Sequence, residues 1–150
     1  MRAVIQRVQH STITINDSCT RSIGKGCLVL LGIEDADNAD DARWLAGKIA
    51  RLRIFADEND KMNQSIIDIE GDIMVVSQFT LHASTKKGNR PSWIKAANPQ
   101  IAEPIYHDFV KLLETETGKK VITGVFGAYM KIDLLNDGPV TIFIDTKNKE

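Results

Sequence analysis

The segment at residues 136–141, NDGPVT, restricts the fold more than any other stretch of the chain. It separates two apolar runs, 129–135 and 140–144, and Asn, Asp, Gly and Pro are the residues that turns favour. The sequence therefore predicts a turn that joins the last two strands. Pro139 has no amide hydrogen to donate, which restricts it to an edge strand or to the first position of a strand.

A second unusual segment follows the strongest strand signal in the chain. Residues 73–81, IMVVSQFTL, are apolar in their first half and become polar at Ser77, Gln78 and Thr80. A central strand whose carboxyl end becomes polar is a common place for a binding site. Residues 77–81 and 136–141 are therefore candidates for the two parts of one site.

The first part of the chain has the patterns of strands. Residues 3–8 and 11–15 nearly alternate apolar with polar side chains, which predicts two strands joined by a tight turn at Gln9-His10. The polar stretch 16–25 is typical of a surface loop. The apolar run 27–33 predicts a strand that is buried on both faces.

Two amphipathic stretches predict the main helices. The first begins near residues 37–41, where acidic side chains favour a helix start, and the second follows Pro99 and ends at Gly118, with Pro104 in its first turn. A further strand is predicted over 121–125.

This order of elements predicts the fold class. Six or more strands with two helices indicate one α/β domain over residues 1–150, with a mixed sheet that curls toward a barrel. Residues 147–150 are expected to form a frayed tail.

The composition excludes several classes of protein. The chain is 43% apolar and 26% charged, as globular domains are, and no apolar run is long enough to cross a bilayer, so we expect a cytoplasmic protein without a membrane partner. The net charge of −1 provides no general attraction for nucleic acid, so any such binding requires a local patch.

The cysteines and histidines do not have the spacing of a metal site. Cys19 and Cys27 form no CxxC pair, and His10, His82 and His107 lie far apart in the sequence. We therefore expect neither a bound metal nor a cofactor.

A basic loop follows the central strand. Lys86, Lys87 and Arg90 lie close together and are followed by Trp93. Cations interleaved with an aromatic ring suit RNA phosphates and a stacked base. From composition alone, an ordinary soluble loop with a buried Trp93 accounts for the pattern equally well.

Signatures of side-chain nucleophiles are missing from the sequence, which has no G-x-S-x-G elbow, no P-loop and no recognisable Cys/His pairing. Ser77 and Thr80 are the hydroxyls in the most promising setting. His82 is the nearest base, but in an extended strand it would share a face with Thr80 without facing it. Thr80 is therefore better interpreted as a ligand contact than as a nucleophile.

SQFTL at 77–81 together with NDGPVT at 136–141 resembles the paired signature of the D-aminoacyl-tRNA deacylases. The resemblance covers nearly all of residues 1–145. Further matching segments are found at 1–8, 61–63, 88–92 and 124–130. Trp93 departs from the family pattern, which has phenylalanine at this position.

The resemblance implies hydrolysis of the ester that links a D-amino acid to the 3′ ribose of tRNA, without a cofactor. It identifies Ser77, Gln78, Phe79 and Thr80 as the catalytic segment. The backbone amides near Phe79 and Thr80 are candidate oxyanion donors. Such an ester is already reactive, so positioning and oxyanion stabilisation can supply much of the catalysis.

The resemblance also implies that Phe126 and Met130 line the adenine side of the site.

The resemblance also implies a homodimer whose active site lies at the subunit interface. The Gly138–Pro139 bond would be cis and would reach into the partner's site, where main-chain carbonyls occupy the position of an L side chain. D-residues, and glycine, would then be admitted. Lys86, Lys87 and Arg90 would hold tRNA phosphates.

Two alternatives remain open at this point. A non-catalytic RNA-binding module that uses the basic loop and Trp93 would bind tRNA in a salt-sensitive way without turnover. A conventional hydrolase with Thr80 as nucleophile would lose its activity in Thr80→Ala and would form an acyl-enzyme that can be trapped.

Overall fold

One long strand, Arg2–Ile15, is the element on which the sheet is built. The computed structural model describes residues 1–149. Its strands are β1 (Arg2–Ile15), β2 (Cys19–Ile23), β3 (Gly26–Gly32), β4 (Phe55–Ala56), β5 (Met62–Gln64), β6 (Asp72–Ser77), β7 (Ile122–Thr123) and β8 (Met130–Asp145). Its helices are α1 (Ala39–Ala50), a short 3-10 helix (Phe79–His82) and α2 (Pro99–Thr117).

The main sheet is mixed and strongly curled. Its order is β2-β1-β3-β6-β7, and β8 pairs with β1 along the opposite edge. The first half of β1 pairs with β3 and its second half pairs with β2, whereas β8 follows both halves. β3, β6 and β7 run parallel to one another. This confirms the predicted single α/β domain with a barrel-like sheet and two main helices.

The core lies on both faces of the central strands. Leu45 of α1 and Phe109 of α2 pack with Val29 and Val75 on one face of the sheet. Neighbouring strand residues such as Leu28 belong to a second cluster on the other face, because successive side chains of a strand alternate. β3 is therefore buried on both faces, as its apolar run predicts. No helix within residues 1–149 is apolar over a length that would cross a membrane.

The helix boundaries follow from capping residues. The Asn38 side chain accepts hydrogen bonds from the amides of Asp40 and Asp41, and the Asp41 carboxylate accepts one from the Asn38 amide, which forms a capping box. Gly118 ends α2 in the left-handed region at φ 68°. Pro104 was predicted in the first turn of its helix, but it lies further in because the helix already begins at Pro99.

Two predictions at the start of the chain were wrong. β1 continues through Gln9-His10 with a bulge instead of a turn, because β8 pairs with it on both sides of that point. The stretch 16–25, predicted as a loop, contains β2, which pairs with the second half of β1. β8, the partner at Gln9-His10, is distant in sequence, and β2 has no apolar alternation. The local pattern therefore identified neither pairing.

The segment 136–141 is not a turn between two strands. β8 runs through it as one strand, and pairing with β1 stops at Val8–Asn136 and resumes at Gln6–Thr141. Residues 137–140 therefore lie opposite the single residue Arg7 and protrude from the sheet as a bulge. β1 is long enough to pair on both sides of the bulge, so the chain does not reverse.

The end of the chain lies against α1. Lys147, the first residue of the predicted frayed tail, donates hydrogen bonds to the Asp41 carboxylate at 2.7 Å and to the Ala36 carbonyl at 2.8 Å. Glu150 lies outside the described residues. The strand predicted over 121–125 is shorter, since β7 covers only Ile122–Thr123.

Candidate active site

The central strand ends earlier than its apolar pattern predicts. β6 stops at Ser77, and residues 79–82 form the 3-10 helix instead of continuing the strand to residue 81. The Gln78 amide donates to the Leu31 carbonyl at 2.7 Å. Because β3 itself ends at Gly32, the parallel partner offers no further carbonyl, and the chain turns away from the sheet.

Gly32 allows the 3-10 helix to lie directly on the end of β3. A Cβ at this position would lie 2.9 Å from the Leu81 Cβ and 3.0 Å from the Gln78 carbonyl oxygen. Such contacts are closer than packed atoms tolerate, so Gly32 fixes the position of the candidate catalytic segment. Sequence reasoning missed this role. The sequence feature that could have indicated this role is the glycine at the end of a buried apolar strand.

A cavity of about 540 Å³ opens at the end of β6. It brings together Ser77, Gln78 and Phe79 with Phe126 and Met130, as the resemblance implies. Most of the remaining lining is apolar, and it consists of Leu31, Ile33, Val76, Trp93, Ala96, Ala97, Pro99, Ala102, Gly127, Ala128, Tyr129 and Ile132. An apolar cavity with few polar groups is typical of a small-ligand site.

Thr80 does not line this cavity but is bonded to a residue that does. Its hydroxyl accepts a hydrogen bond from the Gln78 side-chain amide. His82, the base nearest in sequence, is buried, and neither of its ring nitrogens has a hydrogen-bond partner among residues 1–149. The geometry thus gives Thr80 no base that could activate it as a nucleophile.

The thiols offer no better nucleophile near the cavity. Cys27 is buried at the opposite end of β3, and burial raises the pKa of its thiol to about 12. A thiol with that pKa is almost fully protonated at neutral pH, so it is inert.

The backbone amides of Phe79 and Thr80 begin the 3-10 helix. Within the described residues neither amide donates to a backbone carbonyl, whereas the following amide, of Leu81, donates to Gln78. The first amides of a helix lack intrahelical acceptors and are available to a ligand. They could therefore stabilise an oxyanion without any change in the chain's own hydrogen bonds.

The bulge that carries Gly138 and Pro139 is held by Arg7. The bond between these two residues is cis, as the resemblance implies. The Arg7 side chain donates to the Asp137 carbonyl at 3.0 Å and to the Ile54 carbonyl at 2.6 Å, and it lies 3.4 Å from the Asp137 carboxylate. Arg7 was not predicted as a functional residue. The sequence feature that could have indicated it is a cation between Ile5 and Val8, two apolar residues of β1.

The two signature segments lie at opposite ends of the sheet within one chain. Arg7 lies opposite the bulge and pairs with Cys27 of β3, which in turn pairs with Ile73 of β6. Ser77, at the cavity, lies four residues further along β6 and pairs with Leu31. The separation of four residues along β6 corresponds to roughly 13 Å at about 3.3 Å per residue. A single subunit therefore does not combine them into one site.

The basic loop begins after the 3-10 helix and ends just before Trp93, which lines the cavity. Ser84 and Ser92 close it through paired backbone hydrogen bonds of 2.8 and 2.9 Å. Lys86, Lys87 and Arg90 are exposed, and no described side chain forms an ion pair with any of them. The loop thus presents three uncompensated positive charges.

Trp93 is not buried, in contrast to the simpler interpretation of the loop. It is 42% exposed, lines the cavity, and contacts Phe79 with ring centroids 5.4 Å apart and planes at 78°. The aromatic pair therefore forms part of the cavity mouth.

Comparisons with known proteins identify the family. A family model described as D-Tyr-tRNA(Tyr) deacylase matches residues 4–145. Proteins named D-aminoacyl-tRNA deacylase from Flavobacterium johnsoniae and Bacteroides fragilis YCH46 are 63% and 61% identical, and in both cases the full length of each chain is covered.

Solved structures show the same fold. A c-Myc DNA Unwinding Element Binding Protein is similar with a TM-score of 0.91 at 38% identity, covering 97% of this chain and 98% of the other. A probable eukaryotic D-amino acid tRNA deacylase has a TM-score of 0.82 at 19% identity, covering 95% of this chain and 97% of the other. This likeness concerns the fold alone. By its full-length sequence match, the chain belongs to the D-Tyr-tRNA(Tyr) deacylase family of ester hydrolases.

Proposed function

We propose that this deacylase is a homodimer that releases D-amino acids, and also glycine, from tRNA and excludes L-aminoacyl-tRNA through the backbone of Gly138 and Pro139. The observation that carries the proposal is the mostly apolar cavity at the end of β6, lined by Ser77, Gln78 and Phe79. Its volume of about 540 Å³ suits a terminal adenosine with its ester. Charged tRNA is a cytoplasmic substrate, which supports a cytoplasmic location.

The reaction requires little side-chain chemistry. Water attacks the ester carbonyl carbon, and the negative charge moves to the carbonyl oxygen, where the amides of Phe79 and Thr80 would stabilise it. The tetrahedral intermediate then loses the ribose oxygen, which takes up the proton that the attacking water gives up. The products are the free amino acid and tRNA. The hydrogen bond between Gln78 and Thr80 would keep the segment in position.

The homodimer is supported by the separation of the two signature segments. Because the bulge and the cavity lie at opposite ends of one sheet, the bulge can complete a cavity only in a second copy. The outer edge of β8 has no strand partner among the described residues, and Leu135 and Phe143 on this strand are 53% and 58% exposed. An unpaired edge with exposed apolar side chains is a favourable surface for a second copy.

The proposed chiral filter uses main-chain atoms. Gly138 adopts φ 124°, which glycine tolerates, and Arg7 holds the adjoining Asp137 carbonyl. Carbonyls fixed in this way would clash with an L side chain but leave room for the hydrogen of a D-residue. Glycine has no side chain to exclude, so we expect it to be hydrolysed as well.

The direct test compares the two enantiomers of one charged tRNA. We expect release of D-tyrosine from D-tyrosyl-tRNA and at least about a hundredfold lower kcat/KM for L-tyrosyl-tRNA, since exclusion worth about 3 kcal/mol gives this ratio. Release of amino acid is measured with purified protein against the spontaneous rate.

Two controls separate the parts of this proposal. Glycyl-tRNA should be hydrolysed, and sedimentation should give twice the mass of one chain. Equal hydrolysis of both enantiomers would contradict the filter, and a monomer that retains full discrimination would contradict its action across subunits.

The basic loop is expected to contribute to tRNA affinity through charge alone. Replacing Lys86, Lys87 and Arg90 with alanine should weaken tRNA binding and reduce the slope of log K against log salt by about two to three, because each phosphate contact contributes about 0.7–0.9. Binding is measured by filter retention over a range of salt concentrations.

A matched variant controls for the change in net charge. Lys25, Lys61 and Lys120 are also exposed, and replacing them with alanine removes the same three charges from other surfaces. This variant should retain nearly the original slope. Equal slopes for the two triple variants would show that the loop has no specific part in binding.

A further inference from the structure

The aromatic pair at the cavity mouth has open ring faces. Phe79 and Trp93 are 55% and 42% exposed although both line the cavity. Their planes meet at 78°, so the edge of one ring meets a face of the other. Such a contact occupies only one of the four ring faces, and a third planar group can stack on another.

The electrostatics beside the pair favour a single-stranded nucleic acid. Trp93 directly follows Ser92, which closes the basic loop through its hydrogen bonds with Ser84. The loop between them carries Lys86, Lys87 and Arg90, none of them paired within residues 1–149. Exposed aromatic rings beside cations are the combination that binds unpaired nucleotides, the rings to bases and the cations to phosphates.

We propose that Trp93, supported by Phe79, stacks on the base of the unpaired nucleotide that precedes the terminal adenosine of tRNA. The inference rests on the proposed function, in which the terminal adenosine and its ester occupy the cavity. The preceding nucleotide must then leave through the cavity mouth, where Trp93 lies, and continue toward the basic loop. The stacked ring makes Trp93 a positioning residue for the ester.

Short substrates test the stacking directly. The wild-type enzyme should hydrolyse the D-tyrosyl ester of the dinucleotide CpA with a kcat/KM about tenfold above that of D-tyrosyl-adenosine, because stacking of one base contributes on this order. In Trp93→Leu this ratio should fall close to one. Trp93→Phe, which retains an aromatic ring, should keep most of the gain.

Ile94 provides the matched control. It is 90% exposed beside Trp93 and does not line the cavity. Ile94→Ser should therefore leave the ratio unchanged. A ratio near one in the wild type, or an unchanged ratio in Trp93→Leu, would overturn the proposal. A Trp93→Leu protein that becomes monomeric but keeps the ratio would also overturn the proposal. Trp93 would then be covered by a second copy and would not be open to a base.

A binding measurement separates this proposal from the proposed function. Trp44 is the other tryptophan, so in Trp44→Phe the tryptophan fluorescence, excited selectively over tyrosine, reports Trp93 alone. The uncharged trinucleotide CCA should quench this fluorescence clearly more than adenosine does, because only CCA brings a base to stack on the ring. If the protein hydrolyses no D-ester but CCA still quenches, the proposed function fails and the stacking stands. Equal quenching by adenosine, or none by CCA, overturns the stacking.

Discussion

Replacing Gly138 with alanine is expected to lower the ratio of kcat/KM for D-tyrosyl-tRNA over L-tyrosyl-tRNA by roughly tenfold or more, since a displacement that costs about 1.4 kcal/mol changes a ratio by this factor. At φ 124° an L side chain is strained, and its Cβ would lie 2.9 Å from both Arg7 Nη2 and Val140 Cγ2. The bulge must therefore move, and the carbonyls that would exclude L-residues move with it. Hydrolysis of the two charged tRNAs, measured side by side, gives the ratio.

Gly118 provides a control at another glycine with positive φ but no role in the site. It adopts φ 68° at the end of α2, and a Cβ there would meet no atom within 4 Å. Gly118→Ala should lose about 1 kcal/mol of unfolding free energy while retaining the full enantiomer ratio. If Gly138→Ala is destabilised to the same extent but still discriminates as the wild type does, the bulge is not the filter.

Replacing Gly32 with alanine is expected to reduce kcat for D-tyrosyl-tRNA by about a hundredfold, because a misplacement of about 1 Å in a positioned catalytic group has this effect. The new Cβ would lie 2.9 Å from the Leu81 Cβ and 3.0 Å from the Gln78 carbonyl oxygen. The 3-10 helix must shift to relieve these contacts, and the amides of Phe79 and Thr80 shift with it. Single-turnover kinetics measures this effect apart from substrate binding.

Gly47 allows a matched substitution away from the cavity. It lies within α1, where the nearest atom to a new Cβ is the flexible Arg51 Nη1 at 3.2 Å. Gly47→Ala should gain up to about 1 kcal/mol from helix propensity and leave kcat unchanged. Gly32→Ala should remain folded, with a loss of about 1–3 kcal/mol in unfolding free energy. An unchanged kcat in a folded Gly32→Ala would show that the 3-10 helix does not position the catalytic groups.

Helices and buried strands were predictable because their causes are local. Asn38 and Gly118 mark helix ends through side-chain and backbone preferences that act within a few residues. The apolar run of β3 indicated burial on both faces, which the structure confirms. The resemblance marked Ser77, Gln78 and Phe79 as candidate site residues, and the structure places all three on one cavity.

Strand continuity was not predictable, because it depends on a distant partner. The bulge at residues 137–140 has the composition of a turn, but β1 pairs on both sides of it and keeps the chain extended. The same pairing carries β1 through Gln9-His10. A local pattern shows which residues favour a turn, but it does not show whether a partner strand continues past those residues.

The sequence by itself determined the helix ends, the apolar faces of the central strands and the two signature segments, since each depends on the residues that form it. Only the tertiary structure decided that Gly32 supports the candidate catalytic segment and that Arg7 holds the bulge. Those contacts join residues 49 and 130 positions apart, Gly32 with Leu81 and Arg7 with Asp137. It also separated the segments 77–81 and 136–141 to opposite ends of one sheet, because the register of β1, β3 and β6 sets where each lies.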